Sequence, residues 1–475
     1  MSKVTLGEIA QHFGLEGPGR PFVVKPDADL SEPVQDLVRA GILSLRNGGL
    51  IPAHDVSPAD LALFAPMVDL VRPKLRHLAQ EQSPWAFCTA MATPYAGKVC
   101  GEGGSHRTIA AGGQGESAGH AVLACLGELS ERLSFFLMGE DNRVSKDCSG
   151  LPDLALGPVL GFSARQEMEL ARRHAVLRQA FDGNLIDWNK LSRRRVIAKN
   201  VTLGGRAAVP SMGVFFGEAP AAGVPVRGLA STVGAAVWGS FEGAVERAIY
   251  EAIERDAVAM AWYNRLGITS LEMGGYPQAE HEKKLSWLEN RSRQTRFFRV
   301  ESDLPVHVVC AISANSDGYW GAFGAAASGR LGDAVAAAAR EMLQCEQSLK
   351  MAARSHDKGH LDAKEPIALK YARYTRIFDD LRLSGVPRAP EALFDQSYSF
   401  EDLLEACRAK SIALWACDIT HPAFKIPAIK VLSPQLCTWQ ARFGKRRLFE
   451  TPVALGWRGK PAEEDTFEER VSFPF

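Results

Sequence analysis

Two short segments carry carboxylates at a spacing that can do chemistry. Glu128-Leu-Ser-Glu131-Arg132 recurs as Glu251-Ala-Ile-Glu254-Arg255. On a helix, positions i, i+3 and i+4 share one face, so each segment presents two carboxylates and a guanidinium together. Two such helices side by side gather four carboxylates, and these do not pack closely in ionised form without cations. Mg²⁺ suits the role, because it takes hard oxygen ligands and shares them with substrate phosphates. Arg132 and Arg255 would then face phosphate oxygens, which match the planar guanidinium fork. Each segment follows a glycine-containing stretch, GGQG at 112–115 and STVGAAVWGSFEGA at 231–244. These read as turns of bare backbone whose N–H groups favour anions near a helix N-terminus. The layout describes a Mg–nucleotide site, with Glu128, Glu131, Glu251 and Glu254 as metal ligands. A single Glu-x-x-Glu-Arg is also the pattern of a solvated helix face with weak ion pairs. GGQG also lacks the Lys-Ser/Thr of a P-loop.

Helices must hold these groups, and strands must position the helices. Alanine- and leucine-rich contexts surround both motifs. Further helices are expected over ADLALFAPMVDLVRPKLRHLAQ (59–80) and SARQEMELARRHAVLRQAFD (163–182), from apolar residues near helical spacing. Strands are expected in AVPSMGVFFG, LPVHVVCAIS, SIALWACDIT and IPAIKVLS, which are bounded by Gly, Pro, Ser or Asp. The mixture has no strict βαβ rhythm, so an α+β fold is expected. The first ~80 residues are denser in turn signals (GLEGPGRP, RNGG, HDVSPAD). They read as a small N-terminal extension, residues 1–80, used for partner or peptide docking, ahead of a catalytic domain over 81–475.

Composition narrows the class. The chain has 475 residues, 46% apolar and 23% charged, which is enough to bury a sizeable core. Fifty-five basic residues balance fifty-five acidic ones, so no global field points to nucleic acid or a membrane surface. No apolar run reaches the ~18 residues of a membrane helix, and the start lacks a signal layout, so a cytoplasmic protein is expected. Nine cysteines are scattered without a C-x-x-C pair, which argues against a disulfide framework; a zinc site would need distant cysteines to converge.

The motifs in order resemble the YcaO family. GGQG…CLGELSERLS pairs with STVGAA…EGAVERAIYEAIERDAVAMAWYNRL. AAAAREMLQCEQSL (336–349) resembles the later family helix bearing Glu-x-x-Gln, and KVLSPQLCTWQARFGKRRLFETP resembles the C-terminal strand, proline turn and Arg-Leu segment. The resemblance spans roughly residues 80–460 and implies a YcaO-type mixed α/β domain that binds ATP with Mg²⁺. It implies that Glu128, Glu131, Glu251 and Glu254 are Mg–ATP ligands, with Arg132, Arg255, Glu341 and Gln344 around the nucleotide. It further implies a cyclodehydratase that converts Cys, Ser or Thr of a ribosomal precursor peptide to an azoline by phosphorylating the backbone amide oxygen. Thioamidation, amidine formation or a non-catalytic subunit remain alternatives. No stretch of convincing length reads as a fused leader-binding or E1-like domain, so the expected partners are the precursor peptide, a separate E1-like protein and, for azoles, an FMN dehydrogenase, in a hetero- or homo-oligomer.

The chain departs from the family pattern at Gln114 (often Lys), Ala124 (often Ser) and Arg247 (often Asn or Gln). Gln114 keeps a hydrogen bond to phosphate but not a charge, which Arg107 or Arg247 could restore. His106, after a glycine turn, is a minor candidate near the nucleotide. The family's proline-rich tail is reduced here to Ser472-Phe473-Pro474-Phe475. A carboxylate at Phe475 is the candidate catalytic group, set against a disordered terminus.

Overall fold

The computed structural model describes residues 3–25, 28–46, 48–78, 83–92, 108–138, 141–145, 148–271, 273, 279–358, 365–380, 396–468 and 472–475. The chain opens with β1 (Lys3–Val4), α1 (Leu6–Glu16), β2 (Phe22–Val23), β3 (Asp29–Leu30), α2 (Glu32–Arg39), β4 (Leu43–Arg46), β5 (Gly49–Pro52) and α3 (Pro58–Val71). Capping boxes at Thr5 and Ser57 start α1 and α3 by supplying acceptors to unpaired first-turn N–H groups. The helix expected over 59–80 ends at Val71. Arg72 turns left-handed (φ 52°) and Pro73 cannot continue the helix, so the remainder becomes β6 (Lys74–Leu78).

β6 pairs antiparallel with β7 (Ala86–Ala92), and β7 pairs with β8 (Ile109–Gly115). The expected boundary at residue 80 therefore falls between two paired strands. One apolar core runs across it, joining Phe13, Leu37, Leu61 and Phe64 to Cys88, Ala90, Val122 and Leu126.

Next come α4 (Ala118–Ser134), α5 (Leu156–Leu160), α6 (Ala164–Arg173) and α7 (Ala175–Gln179). The last two replace the single helix expected over 163–182, because His174 is extended between them. β9 (Arg195–Asn200) and β10 (Arg206–Pro210) follow; the expected strand AVPSMGVFFG stops at Pro210, where a 3-10 turn begins. After α8 (Glu218–Ala221) and β11 (Ala235–Val237) comes the long α9 (Phe241–Asn264). β12 (Ile268–Leu271), α10 (Ala279–Asn290), β13 (Gln294–Val300), β14 (His307–Ala314) and β15 (Ala322–Ser328) precede α11 (Leu331–Asp357) and α12 (Ile367–Tyr374). A helix at Phe400–Ala409 leads into β16 (Trp415–Asp418) and β17 (Ala428–Leu432), and short helices at Arg447–Ala454 and Glu464–Glu468 follow.

The strands form a five-stranded antiparallel sheet ordered β10-β9-β16-β17-β11, a four-stranded meander β12-β13-β14-β15, the three-stranded β6-β7-β8 and two smaller sheets. The mixed α+β class holds. The β6–β8 and β12–β15 meanders each run into the helix that packs on them, α4 and α11. In both, a glycine permits backbone contact. A Cβ on Gly113 would lie 2.2 Å from the Cys125 nitrogen, and one on Gly324 would lie 2.2 Å from the Met342 nitrogen. From Ala252 to Asn264 every residue of α9 except Arg255 is buried, so this helix runs through the interior. Among the described residues no helix is long and apolar enough to cross a membrane.

Candidate active site

α4 is started by Ser117, whose hydroxyl accepts from the His120 N–H. It buries Ala121, Val122, Cys125, Leu126, Leu129 and Leu133, which turns Ala124, Glu128, Glu131 and Arg132 toward a cavity. α9 is capped by Ser240 and brings Glu251 and Arg255 to the same cavity from mid-helix. α11 adds Glu341 and Gln344.

The cavity measures about 590 Å³. Its charged lining is Glu128, Glu131, Glu251, Glu341, Arg132 and Arg255, and Gly112, Gly113 and Gln114 of β8 also line it. Its apolar lining comes from Phe323, Leu349, Pro366, Leu369, Trp439 and Phe475. Glu254 does not line the cavity; it lies buried behind it and bonds Arg255 Nη1 at 2.6 Å. Arg247 lies outside as well. Its guanidinium stacks 3.2 Å over the Trp238 ring, so it does not replace the charge missing at Gln114. Arg107 and His106 fall outside the described residues.

The glycine stretch is not the expected turn. GGQG is the end of strand β8. Its glycines serve packing: a Cβ at Gly112 would sit 2.8 Å from the Gln344 amide nitrogen. Nor do helix N-termini reach the carboxylates. Glu128 lies ten residues beyond the start of α4, about 15 Å along the axis.

The arginines are already engaged. Arg132 bonds Glu128 at 2.5 Å and donates to the Ala110 carbonyl at 2.6 Å. Arg255 donates to Glu251 (2.9 Å) and Glu254 (2.6 Å) and lies 3.6 Å over the Trp439 ring. Trp439 is itself placed by α9, since Tyr263 Oη donates to its carbonyl at 3.0 Å and Asp256 accepts from the Cys437 N–H at 2.7 Å. Arg447 locks Asp256 and Asp303 together from the far side.

Burial, then the charges of Glu251 and Glu128, raises the Glu131 carboxyl well above the ordinary carboxylate range. Burial raises Glu254 likewise, against the pull of Arg255. Glu341 opens to solvent inside the cavity yet lies deep in the protein. Burial, with Glu251 and Glu128, lifts it to about 7 although Arg255 pulls it down. Lys430 of β17 is a functional residue that the sequence motifs do not mark. It is buried, donates to the Val233 carbonyl, and is lowered to about 8 by burial while Glu251 and Glu131 hold it charged. Its one visible signal was a lysine inside the apolar run IPAIKVLS, because lysine is rarely buried unpaired. Trp439 and Thr232 of the cavity wall lie inside segments that carry the family resemblance, but nothing in their type or spacing marks them as site residues, since their placement depends on distant segments.

Among the described residues no three histidine, cysteine or carboxylate groups stand close enough to form a ready-made metal cage. The donor set nevertheless fits a magnesium nucleotide. Carboxylates whose ionisation burial opposes are relieved by a divalent cation, and Mg²⁺ takes much of its coordination from phosphates and water. The Gln114 side-chain oxygen is buried in the cavity wall without a hydrogen-bond partner among the described residues.

A family model described as YcaO cyclodehydratase, ATP- and Mg²⁺-binding, matches residues 112–437. Among solved structures, a heterocyclase in complex with substrate and cofactor aligns with a TM-score of 0.68 at 17% identity, covering 99% of this chain and 61% of that one. YcaO from Methanopyrus kandleri bound with AMPPCP and Mg²⁺ aligns at 0.52 and 18% identity, covering 76% and 85%. The E. coli microcin synthetase McbBCD complex with pro-MccB17 bound aligns at 0.50 and 16% identity, covering 76% and 88%. The chain thus spans about three-fifths of the length of the first of these. No curated protein matches it.

Proposed function

This chain belongs to the YcaO family of ATP- and Mg²⁺-binding proteins, and we propose that it is a cyclodehydratase acting on the backbone of a ribosomal precursor peptide. The observation that carries the reading is one cavity in which Glu128, Glu131, Glu251 and Glu341 from three helices meet Arg132, Arg255 and the Phe475 segment. In the reaction, a peptide Cys, Ser or Thr side chain attacks the preceding carbonyl carbon. ATP supplies the phosphoryl group that makes the amide oxygen a leaving group. That oxygen departs with phosphate, the side-chain and amide protons are lost, and a C=N bond closes the thiazoline or oxazoline. ADP and phosphate are the other products.

Phosphoryl transfer asks mainly for positioning and charge neutralisation. Glu128, Glu131 and Glu251 would hold Mg²⁺, with Glu254 supporting them through Arg255. Glu341, Gln344 and Gln114 would bind the nucleotide. Arg132 and Arg255 would exchange their carboxylate partners for phosphate oxygens once Mg²⁺ occupies those carboxylates. Trp439 holds the Arg255 plane and helps exclude water. The Ser472–Phe475 segment would close the cavity over the reacting amide. A separate E1-like protein would deliver the peptide, and a flavin dehydrogenase would oxidise azolines to azoles.

The test uses peptide labelled with heavy oxygen at the backbone amide, with the partner protein present. The expected result is loss of one water per ring, with the label in the released phosphate. Label retained in a ring-containing peptide, or unlabelled phosphate, would overturn direct activation of the amide oxygen. A product that exchanges oxygen for sulfur without ring closure would reassign the chain to thioamidation.

A further inference from the structure

A second chamber of about 630 Å³ opens beside the nucleotide cavity. Thr232, Glu251, Arg255, Trp439 and Phe475 line both spaces, so they form a shared wall. The rest of the second chamber is built differently. It has Arg227 and Arg442, the hydroxyls of Ser231 and Ser472, and the Gln440 amide.

Arg442 is the informative residue. It is partly buried, lies 3.6 Å over the Phe162 ring, donates from Nη2 to the Gly228 carbonyl at 3.1 Å, and donates to the Gln440 side-chain oxygen from Nε at 3.2 Å and Nη2 at 3.1 Å. All these partners are neutral. No carboxylate among the described residues pairs with it, and burial lowers it to about 10. Arg227 is exposed at the same chamber and forms no ion pair among the described residues. Glu251, the one carboxylate side chain of the lining, is taken by Arg255 and the Ala235 N–H. A guanidinium drawn partly out of water without a counter-charge is costly unless a ligand supplies one. Gln440 and Gly228 hold the Nε–Nη2 edge of the fork, so Nη1, which has no hydrogen-bond partner among the described residues, is the group left to meet a carboxylate.

We propose that this chamber is the acceptor subsite and that it selects a peptide with a carboxylate side chain close to the modified residue, held by Arg442 and Arg227. The proposal rests on the ATP-dependent peptide reading above and deepens it. The shared wall then places the reacting amide at Arg255 and Trp439 while the acidic residue lies toward Arg442. Arg442 is a specificity residue, not a catalytic one.

The test is titration of the full chain, saturated with Mg²⁺ and AMPPCP, with two capped pentapeptides, Gly-Cys-Gly-Glu-Gly and its Gln counterpart. The acidic peptide should bind about ten-fold more tightly, the scale of one charge-assisted pairing. Arg442→Gln should erase the preference, Arg442→Lys should keep part of it, and Arg227→Gln, at an exposed position, should reduce it. Equal affinity for the two peptides, no binding of either, or a preference that survives both Gln variants would overturn the proposal. So would inorganic phosphate displacing the acidic peptide at concentrations below those the peptide needs, which would make the chamber a phosphate site. The titrations are repeated without nucleotide. Failure of AMPPCP to bind counts against the ATP-dependent reading, while the peptide comparison still decides this one.

Discussion

Glu341 and Glu251 set the behaviour of the site at the scale of single residues. Burial raises Glu341 from the ordinary 4.5 to about 7 in the metal-free protein. A carboxyl raised on folding contributes stability that is fully present below its unfolded pKa and is lost as pH rises through the folded one. The melting temperature of the metal-free protein should therefore fall between about pH 5 and 8, and Glu341→Gln should flatten that slope. Mg²⁺ with AMPPCP should release protons on binding in the same window, measurable as a buffer-dependent binding enthalpy; a buffer-independent enthalpy would contradict the protonated carboxyls. Glu251 accepts from Arg255 and from the Ala235 N–H, so its charge is used twice. Glu251→Gln should weaken Mg²⁺-dependent nucleotide binding by about ten- to a hundred-fold, the range for a lost hydrogen bond to a charged group. Calorimetry with and without Mg²⁺ reads this directly.

Elements explain why these residues meet. β8 and β15 are strands whose glycines let α4 and α11 approach at backbone contact. Gly113→Ala would place a methyl 2.2 Å from the Cys125 nitrogen and 2.3 Å from the Ala121 carbonyl, and neither backbone atom yields cheaply. We expect a loss of about 1–3 kcal/mol or more by urea unfolding, with nucleotide binding weakened because Glu128 moves with α4. Gly127→Ala on α4, where a Cβ meets nothing within 4 Å, is the control and should be neutral or slightly stabilising. The C-terminal segment is also an element here. Phe473 packs on Trp439 (4.4 Å), Phe323 (5.0 Å) and Trp262 (5.2 Å), and Phe475 stacks parallel to Phe323 at 5.8 Å. Aromatic contacts thus hold a tail in which a single proline looked too little. Phe473→Ala should lower the melting temperature and abolish peptide modification. Since Phe475 also lines the cavity, removing Ser472–Phe475 should weaken AMPPCP binding as well. Unchanged binding and turnover would return the segment to a passive end.

At the scale of the whole molecule, residues 3–78 are joined to the rest by the β6–β7 pairing and by one continuous core. We propose that they belong to the same folding unit as α4, whatever docking role they also have. Deleting residues 1–80 should expose Cys88, Ala90, Val122 and Leu126, giving aggregation or loss of a cooperative unfolding transition. A truncated chain that stays monomeric and binds AMPPCP normally would show that the segment is an independent docking module. α9 ties the remaining parts together. It contributes Glu251 and Arg255 to the cavity and Asp256 to the Arg447 network. It also supplies Tyr263, which holds the Trp439 carbonyl.

What the sequence determined by itself was local or periodic. Glu128 with Arg132 and Glu251 with Arg255 pair at i, i+4 on their helices, a property of helical geometry alone. The strands at His307–Ala314 and Ala428–Leu432 follow from β-branched apolar runs. The family was readable because its motifs lie in helices α4, α9 and α11, in order. The tertiary structure decided everything that depends on distant segments meeting. GGQG looked like a phosphate turn because glycine allows both turns and close packing; only the approach of Gln344 and Cys125 selects packing. Arg247 sits one helical turn before Glu251 in sequence, but Trp238 draws its guanidinium away from the cavity. Lys430 became a partner of the carboxylates only when β17 was laid beside β11, which puts it opposite Ala235, the residue whose N–H binds Glu251. Charge and stacking energies of that kind fall off over a few ångströms, and no spacing along the chain encodes which groups come within that reach.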